Sequence, residues 1–402
     1  MVTGQQCCNG ILTFHSRNSY ALSLTLIPEE IWSTERVCEG PPKQPNIERR
    51  RAVKKAISGI GLLMLLVLVA ALTITGAPRH SSPPADTILL NAAGATFPYP
   101  IYSKWFDVYH QKYPNIQINY QSIGSGGGIR QVLAGTVDFG ASDGPMTDEQ
   151  LAQAKVKILH FPTVLGADVP TYNLPGMNVE LNFTRNALAD IFLGKITKWN
   201  DPQIASANPG VNLPAKDIVV VHRSDGSGTT YIWVDFLSKS SQEWSSKVGK
   251  ATSVNWPVGL GGKGNEGVSG LVQQTPYSLG YVELIYAVQN KIPYGKVQNP
   301  AGKYIKADLA SVTAAAAGVA NTMPDDFRVS ITNAPGATAY PVSSFTWLLI
   351  PSKIADPAKR DAIKGFLKWM LTDGQGYNEG LSYAKLPQAV VAKETKAIAL
   401  IQ

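Results

Sequence analysis

Cysteine is nearly absent. The 402 residues include three, Cys7, Cys8 and Cys38, and all precede the one long apolar run. Everything after that run lacks a disulfide, a thiolate nucleophile and a cysteine metal site. Histidine is scarce too: His110, His160 and His222 share no metal-ligand spacing with one another or with Asp and Glu, so no metal cofactor is expected. Charged residues make up 16% of the chain, with no basic run after Lys55. The net charge of +7 divides unevenly. Residues 1–80 carry nine Lys and Arg against five Glu, a net of +4, which leaves +3 on the rest. A mildly basic body without basic clusters argues against a nucleic-acid partner. Repeats and low-complexity tracts are also missing. The hydrophobic content of 44% is that of a globular chain, long enough for two domains with cores of their own.

The long apolar run is residues 56–77, uncharged and centred on Leu62–Val69, behind Arg49-Arg50-Arg51 and Lys54-Lys55. A basic flank before an apolar stretch is an export signal, its positive side kept in the cytoplasm. The run is long for a signal peptide and just long enough to span a bilayer. Thr75-Gly76-Ala77 offers a small-residue cleavage site, although Pro78 directly after it is unfavourable. Cleavage is the expectation, with an uncleaved inner-membrane tether as the alternative. Residues 1–55 comprise an N-terminal extension and the basic flank, and a start site placed too far upstream accounts for residues 1–48 most simply. Residues 78–86, rich in Pro and Ser, form a linker.

Beyond the linker, strand, loop and helix recur. Ile88-Leu89-Leu90 predicts a strand, and Ile101, Trp105, Val108 and Tyr109 mark one helical face that Pro114 ends. Ile116, Ile118 and Tyr120 alternate with polar residues as a half-buried strand does. A helix with Ile129, Val132 and Leu133 follows, then a short strand at Val137–Ala141. Ile158–Val169 reads as extended chain long enough to cross between two domains. Residues 184–196 predict a helix, Ile218–Val221 a buried strand, and Ile232, Trp233, Phe236 and Leu237 the face of the next helix. Trp347–Ile350 is another buried strand. Asp356 caps a helix with Pro357 at its first position and Ile363, Phe366, Leu367, Met370 and Leu371 as its stripe. The alternation argues an α/β fold with ligand loops at the carboxyl ends of strands.

Three of those loops share a design: Ala93-Gly94-Ala95-Thr96-Phe97-Pro98, Gly124-Ser125-Gly126-Gly127-Gly128 and Arg223-Ser224-Asp225-Gly226-Ser227-Gly228-Thr229. Each places a hydroxyl and unhindered N–H groups just before a helical stretch. Unpaired N–H donors and the positive end of the helix dipole suit an anion. One such loop is an ordinary cap; three, with an arginine in one, suggest a tetrahedral oxyanion held from several sides. Arg223 can offer a planar fork to two oxygens, with Asp225 orienting it, or it can be a plain ion pair with Asp225. Asp143 is repulsive to an anion unless the ligand donates a proton. Phosphate has one to give and sulfate has none. From the residues alone, Asp143 can equally cap the turn before Pro145.

Two features compete. Gly259-Leu260-Gly261-Gly262-Lys263-Gly264 fits the G-x-G-x-x-G pattern, with Glu283 at a plausible distance. Asn255-Trp256-Pro257 is expected to break any entering strand, so this match is weak. A phosphatase or phosphotransferase would need a nucleophile beside a base, or a two-metal cluster; only Ser227 near Asp225 resembles one, so no enzyme is expected.

Residues 91–145, 217–230 and 254–283 resemble the phosphate-binding protein of bacterial phosphate ABC transporters, the PstS type. The runs that carry the resemblance are Ala93–Pro98, Val137–Asp143, Asp225–Thr229 and Trp256–Asn265, within a similarity spanning roughly residues 88–390. The resemblance implies a periplasmic-binding-protein fold of two α/β domains, each a mixed sheet flanked by helices, with the ligand cleft between them. Domain I would comprise 87–164 and 336–402, and domain II 165–335. It further implies an exported, periplasmic monomer that captures inorganic phosphate and delivers it to the membrane permease subunits of an ATP-driven importer. Phosphate contacts would fall on Thr96, Phe97 through its backbone N–H, Ser125, Asp143, Arg223, Ser227, Gly228 through its backbone N–H, and Thr229. Gly126 stands where family members often have a second serine. A receptor for another oxyanion remains the alternative, less so an enzyme using the same pocket.

Overall fold

The computed structural model describes residues 87–402. The extension, the apolar run and the linker expected before residue 87 lie outside the described residues. Among the described residues, no helix is long and apolar enough to cross a membrane.

The strands are β1 (Ile88–Gly94), β2 (Ile116–Ser122), β3 (Phe139–Ser142), β4 (Ile158–Tyr172), β5 (Asn182–Phe183), β6 (Val219–Arg223), β7 (Leu260–Gly262), β8 (Ser278–Glu283), β9 (Lys296–Gln298), β10 (Tyr304–Ile305) and β11 (Ser343–Pro351). Between them run α1 (Tyr99–Lys112), α2 (Ser125–Ala134), α3 (Asp148–Leu151), α4 (Arg185–Phe192), α5 (Pro202–Ala205), α6 (Gly228–Ser240), α7 (Gln242–Lys247), α8 (Gly264–Gln274), α9 (Leu284–Gln289) and α10 (Leu309–Ala317), and after β11 come α11 (Pro357–Leu371) and α12 (Gln388–Ala397).

An eight-stranded mixed sheet is ordered β2-β1-β3-β11-β4-β8-β6-β7, and β10-β9-β5 form a small second sheet. Both ends of the large sheet are parallel: β1 pairs with β2 and β3, and β6 with β7 and β8. Parallel strands need crossover connections, and here those crossovers carry helices. The middle is antiparallel. β4 pairs through Ile158–Ala167 with β11, then through Asp168–Tyr172 with β8. The crossing strand expected at Ile158–Val169 therefore continues to Tyr172, and it serves both halves, so the sheet order is unbroken. All 15 residues of β4 are buried, as its near-continuous apolar sequence requires of a strand covered on both faces.

Helices close over the sheet through the stripes read from sequence. α1 buries Ile101, Tyr102, Trp105, Phe106 and Tyr109; Val108 is only half-buried. Asp356 accepts the backbone N–H groups of Ala358 and Lys359, and Pro357 opens α11 as expected. The Phe366 ring of α11 meets Phe106 at 5.4 Å and Tyr109 at 5.2 Å between centroids, each such buried ring contributing about 1.5–3 kcal/mol. At the foot of α2, three successive glycines let the helix start against the strand ends. A Cβ on Gly128 would stand 2.6 Å from Gly94 Cα and 2.7 Å from the carbonyl oxygens of Ala93 and Ala141.

Candidate functional site

Every parallel strand delivers a polar residue at or just past its carboxyl end. Thr96 and Phe97 follow β1, Ser125 follows β2, Asp143 follows β3, Arg223 ends β6 and Asn265 follows β7. This is where an open α/β sheet places its ligands. Thr96, Phe97, Ser125, Asp143, Arg223, Ser227, Thr229 and Asn265 are all 3% exposed or less, and Gly228 is buried with them. Buried polar groups at this density are stable only when hydrogen-bonded, and two connected networks account for them.

The first is a chain of donors. Arg223 Nε and Nη2 donate to the two carboxylate oxygens of Asp225 at 2.8 and 2.6 Å, and Nη1 donates to Thr229 Oγ1 at 3.2 Å. Asp225 also accepts Gly264 N–H at 3.1 Å, so the Arg223–Asp225 pair that both sequence readings expected is held in place. A guanidinium has five N–H groups; those three contacts leave one hydrogen on Nη1 and one on Nη2. Asn265 Nδ2 donates to Thr229 Oγ1 at 3.1 Å and to Thr96 Oγ1 at 2.8 Å.

The second network surrounds the acid. Thr346 donates its hydroxyl to Asp143 Oδ1 at 2.7 Å, and Ser125 donates to Oδ2 at 3.4 Å. Thr346 lies beside a register shift between β11 and β4, an irregularity of the kind that re-aims a side chain. Gly228, the first residue of α6, packs directly on this acid: a Cβ there would collide with the Asp143 carboxylate and the Ser125 hydroxyl. Burial raises the Asp143 pKa from its ordinary carboxylate value to about 7, against the lowering effect of Thr346, Arg223 and Ser125.

The loop after β1 is held by three tyrosines, from β2, from α9 and from the chain between α11 and α12. Tyr120 donates to the carbonyl of Ala95 at 2.7 Å, Tyr286 to that of Thr96 at 2.6 Å and Tyr383 to that of Phe97 at 2.6 Å. The Thr96 carbonyl and the Phe97 N–H belong to one planar peptide and point opposite ways. Fixing the carbonyl on Tyr286 therefore fixes the Phe97 N–H as a donor directed away from it.

The eight residues expected at the site thus occupy one buried cluster, with differences of detail. Ser227 caps α6, its Oγ accepting Thr230 N–H at 3.0 Å. It is no nucleophile paired with Asp225, whose oxygens hold Arg223 instead. Gly126 N–H donates to Gly226 O at 2.9 Å, and a Cβ on Gly126 would sit 3.0 Å from Gly226 Cα, so glycine there joins two loops. His222 is a β6 residue whose ring stacks on Trp256 at 4.8 Å. No strand enters the stretch Gly259–Gly264 from the Asn255-Trp256-Pro257 side; the short β7 lies inside it and pairs in parallel with β6. Its acidic companion Glu283 caps α9 by accepting Ile285 N–H at 2.8 Å. Sequence reasoning missed Asn265, Thr346 and the three tyrosines. Among the described residues, no group of three or more His, Cys, Asp and Glu could hold a metal ion.

Similar proteins agree with this architecture. Residues 77–374 match the model of a PBP superfamily domain. The phosphate-binding protein PstS of Pasteurella multocida is 47% identical over 305 residues, 76% of this chain and 88% of that one. The protein of the same name from Xylella fastidiosa strain Temecula1 is 45% identical over 346 residues, 81% of this chain and 94% of that one. The crystal structure of a phosphate-binding protein from Stenotrophomonas maltophilia shares the fold at a TM-score of 0.59, with 18% identity, covering 77% of this chain and 94% of that one.

Proposed function

Because the chain belongs to the PstS phosphate-binding family within the PBP superfamily, we propose that it captures inorganic phosphate on the outer side of the cytoplasmic membrane and delivers it to the permease of an ATP-driven phosphate importer. The observation that carries this reading is the polarity of the site. Donors gather at the site: Thr96 and Thr229 hydroxyls, the remaining N–H groups of Arg223, and the Phe97 and Gly228 backbone N–H groups at a loop and a helix start. Among them stands one acceptor, the Asp143 carboxylate, with Gly228 packed against it. Such a site suits an oxyanion that still carries a proton, which at neutral pH is phosphate and not sulfate. Ser125 acts beside Asp143, and Ser227 holds the end of α6 that presents Gly228.

Capture between two lobes follows from the same arrangement. Lobe I, residues 87–164 and 336–402, supplies Thr96, Phe97, Ser125 and Asp143; lobe II, residues 165–335, supplies Arg223, Ser227, Gly228 and Thr229. We place one hinge in β4 near residue 164, where the lobes divide and just ahead of the change of pairing partner at Ala167–Asp168, and the other near residue 336 in the return chain before β11. Small-angle scattering tests this: an unchanged radius of gyration on adding phosphate to an open form would refute the hinge. Phosphate itself should stabilise the fold by mass action, by about 2.7 kcal/mol at a concentration near 100 times the dissociation constant. Thermal unfolding with phosphate and with sulfate checks it. No shift with phosphate, or an equal shift with sulfate, overturns the assignment.

A further inference from the structure

Asn265 is fully buried in the first turn of α8, and its amide spans the two threonines of the site. Nδ2 lies 2.8 Å from Thr96 Oγ1 and 3.1 Å from Thr229 Oγ1, while Oδ1 accepts the Glu283 backbone N–H at 3.1 Å. That last bond determines which end of the amide is which, because a backbone N–H cannot face an NH2 group. Both threonine oxygens are therefore acceptors from Asn265. Each accepts a second N–H as well: the backbone N–H of Asn265 on Thr96 Oγ1 at 3.3 Å, and Arg223 Nη1 on Thr229 Oγ1 at 3.2 Å. A hydroxyl has two lone pairs and one hydrogen. With both lone pairs engaged, each threonine can meet a ligand only as a donor.

We propose that Asn265 is a positioning residue that makes Thr96 and Thr229 obligate donors, so that this side of the site takes only unprotonated oxygens and the ligand's proton is confined to Asp143. The inference rests on the phosphate reading and adds to it the orientation of the bound anion. A threonine hydroxyl free to turn could accept a P–OH as readily as it donates to P–O⁻, and the ligand could then bind in several orientations. Asn265 removes that freedom from two hydroxyls at once, and Glu283 N–H keeps the amide from turning over.

The experiment is a double-mutant cycle read by calorimetric titration of the purified protein with inorganic phosphate, extended to millimolar phosphate where binding is weak. Binding of phosphate by the unaltered protein with exclusion of sulfate tests the underlying reading. If that fails, the phosphate assignment falls on its own account. Given binding, Asn265→Ala should weaken it about 10-fold or more. In a background carrying Thr96→Val and Thr229→Val, the same change should cost less than about 2-fold, because no hydroxyl remains to be oriented. A merely structural role would produce the same loss in both backgrounds, and that result, or unchanged affinity in Asn265→Ala alone, would overturn the proposal. The near-isosteric Asn265→Asp guards against a failure to fold. Its carboxylate would accept the threonine hydrogens and turn them from the ligand, so phosphate affinity should fall at least as far at pH 8. Retention of full affinity there refutes the proposal independently.

Discussion

Replacing Asp143 with asparagine should erase much of the discrimination between phosphate and sulfate. Thr346 donates to Oδ1 at 2.7 Å, so the new amide would keep its oxygen there and place its NH2 at the Oδ2 position, beside Ser125 and Gly228. A sulfate oxygen that formerly met a carboxylate would then meet a donor. Sites built around one ligand hydrogen reject analogues lacking it by about 10³-fold or more, roughly 4 kcal/mol. The substitution should shrink the ratio of sulfate to phosphate dissociation constants by about 10²-fold or more, chiefly through better sulfate binding. Calorimetric titrations with both anions at fixed pH and ionic strength measure the ratio directly. A pH series supplies the internal check. Burial holds the Asp143 pKa at about 7, so acidification below that value protonates it and gives the unaltered protein an O–H donor. Its sulfate affinity should rise as pH falls through 7, while that of the variant should stay flat across the same window. A ratio within about 3-fold of the original in Asp143→Asn, or a sulfate affinity indifferent to pH in the unaltered protein, would refute the reasoning.

Tyr286→Phe removes the bond that fixes the Thr96–Phe97 peptide and should weaken phosphate binding about 3- to 10-fold, with little loss of stability; titration and thermal unfolding together check it. Asp168→Asn should stabilise the protein. Asp168 is fully buried, neither of its oxygens has a hydrogen-bond partner, and burial pushes its pKa well above the usual carboxylate range. A raised acid pKa means the native state holds its proton longer than the unfolded chain does, so stability falls as pH rises above about 4. The gain from Asp168→Asn should therefore be larger at pH 8 than near pH 4, and denaturant titrations at the two pH values that show no such difference would refute it.

Much of this was legible because the informative features are local. A helix stripe such as Ile363, Phe366, Leu367 and Met370, or a cap such as Asp356-Pro357, declares itself within a few residues of sequence. So do hydroxyl and glycine residues clustered at a strand end, which is why Thr96, Ser125 and Ser227–Thr229 stood out. Asn265 did not, since the residues it touches lie 169 and 36 positions away. Trp256-Pro257 does break the chain, and β7, which starts three residues later within the glycine-rich stretch, needs only three residues to pair with β6. Thr346 was hidden for another reason: it lies just before the Trp347–Ile350 stretch read as the strand, which begins instead at Ser343, and beside a pairing irregularity with β4 its hydroxyl meets Asp143. The three tyrosines look like core residues; Tyr286 and Tyr383 are buried and Tyr120 is half-buried against the core. Only the three-dimensional placement of their hydroxyls on successive carbonyls reveals a second use.

The charges of the site explain why such neutral groups matter. Arg223 spends Nε and one hydrogen of Nη2 on Asp225, so this buried pair is close to neutral, and Asp143 adds negative charge whenever it is ionised. The fixed side-chain charges that face the anion therefore do not sum to a positive value. Attraction must come from oriented dipoles: backbone N–H groups at Phe97 and Gly228, hydroxyls at Thr96 and Thr229, and the remaining guanidinium hydrogens. Oriented dipoles in a dry site are strong because they need no reorganisation and lie in a low dielectric. They are also selective in a way that a cluster of lysines is not, since a point charge responds to ligand charge, whereas a set of donors opposite one acceptor responds to where the ligand keeps its hydrogen. Sulfate and phosphate are alike in size and shape and differ in that hydrogen. On the proposed reading Tyr286, Asp225 and Thr346 would each fix one dipole or charge of the site and Asn265 two hydroxyls, so the ability to tell the two anions apart would depend on residues that need not touch the ligand.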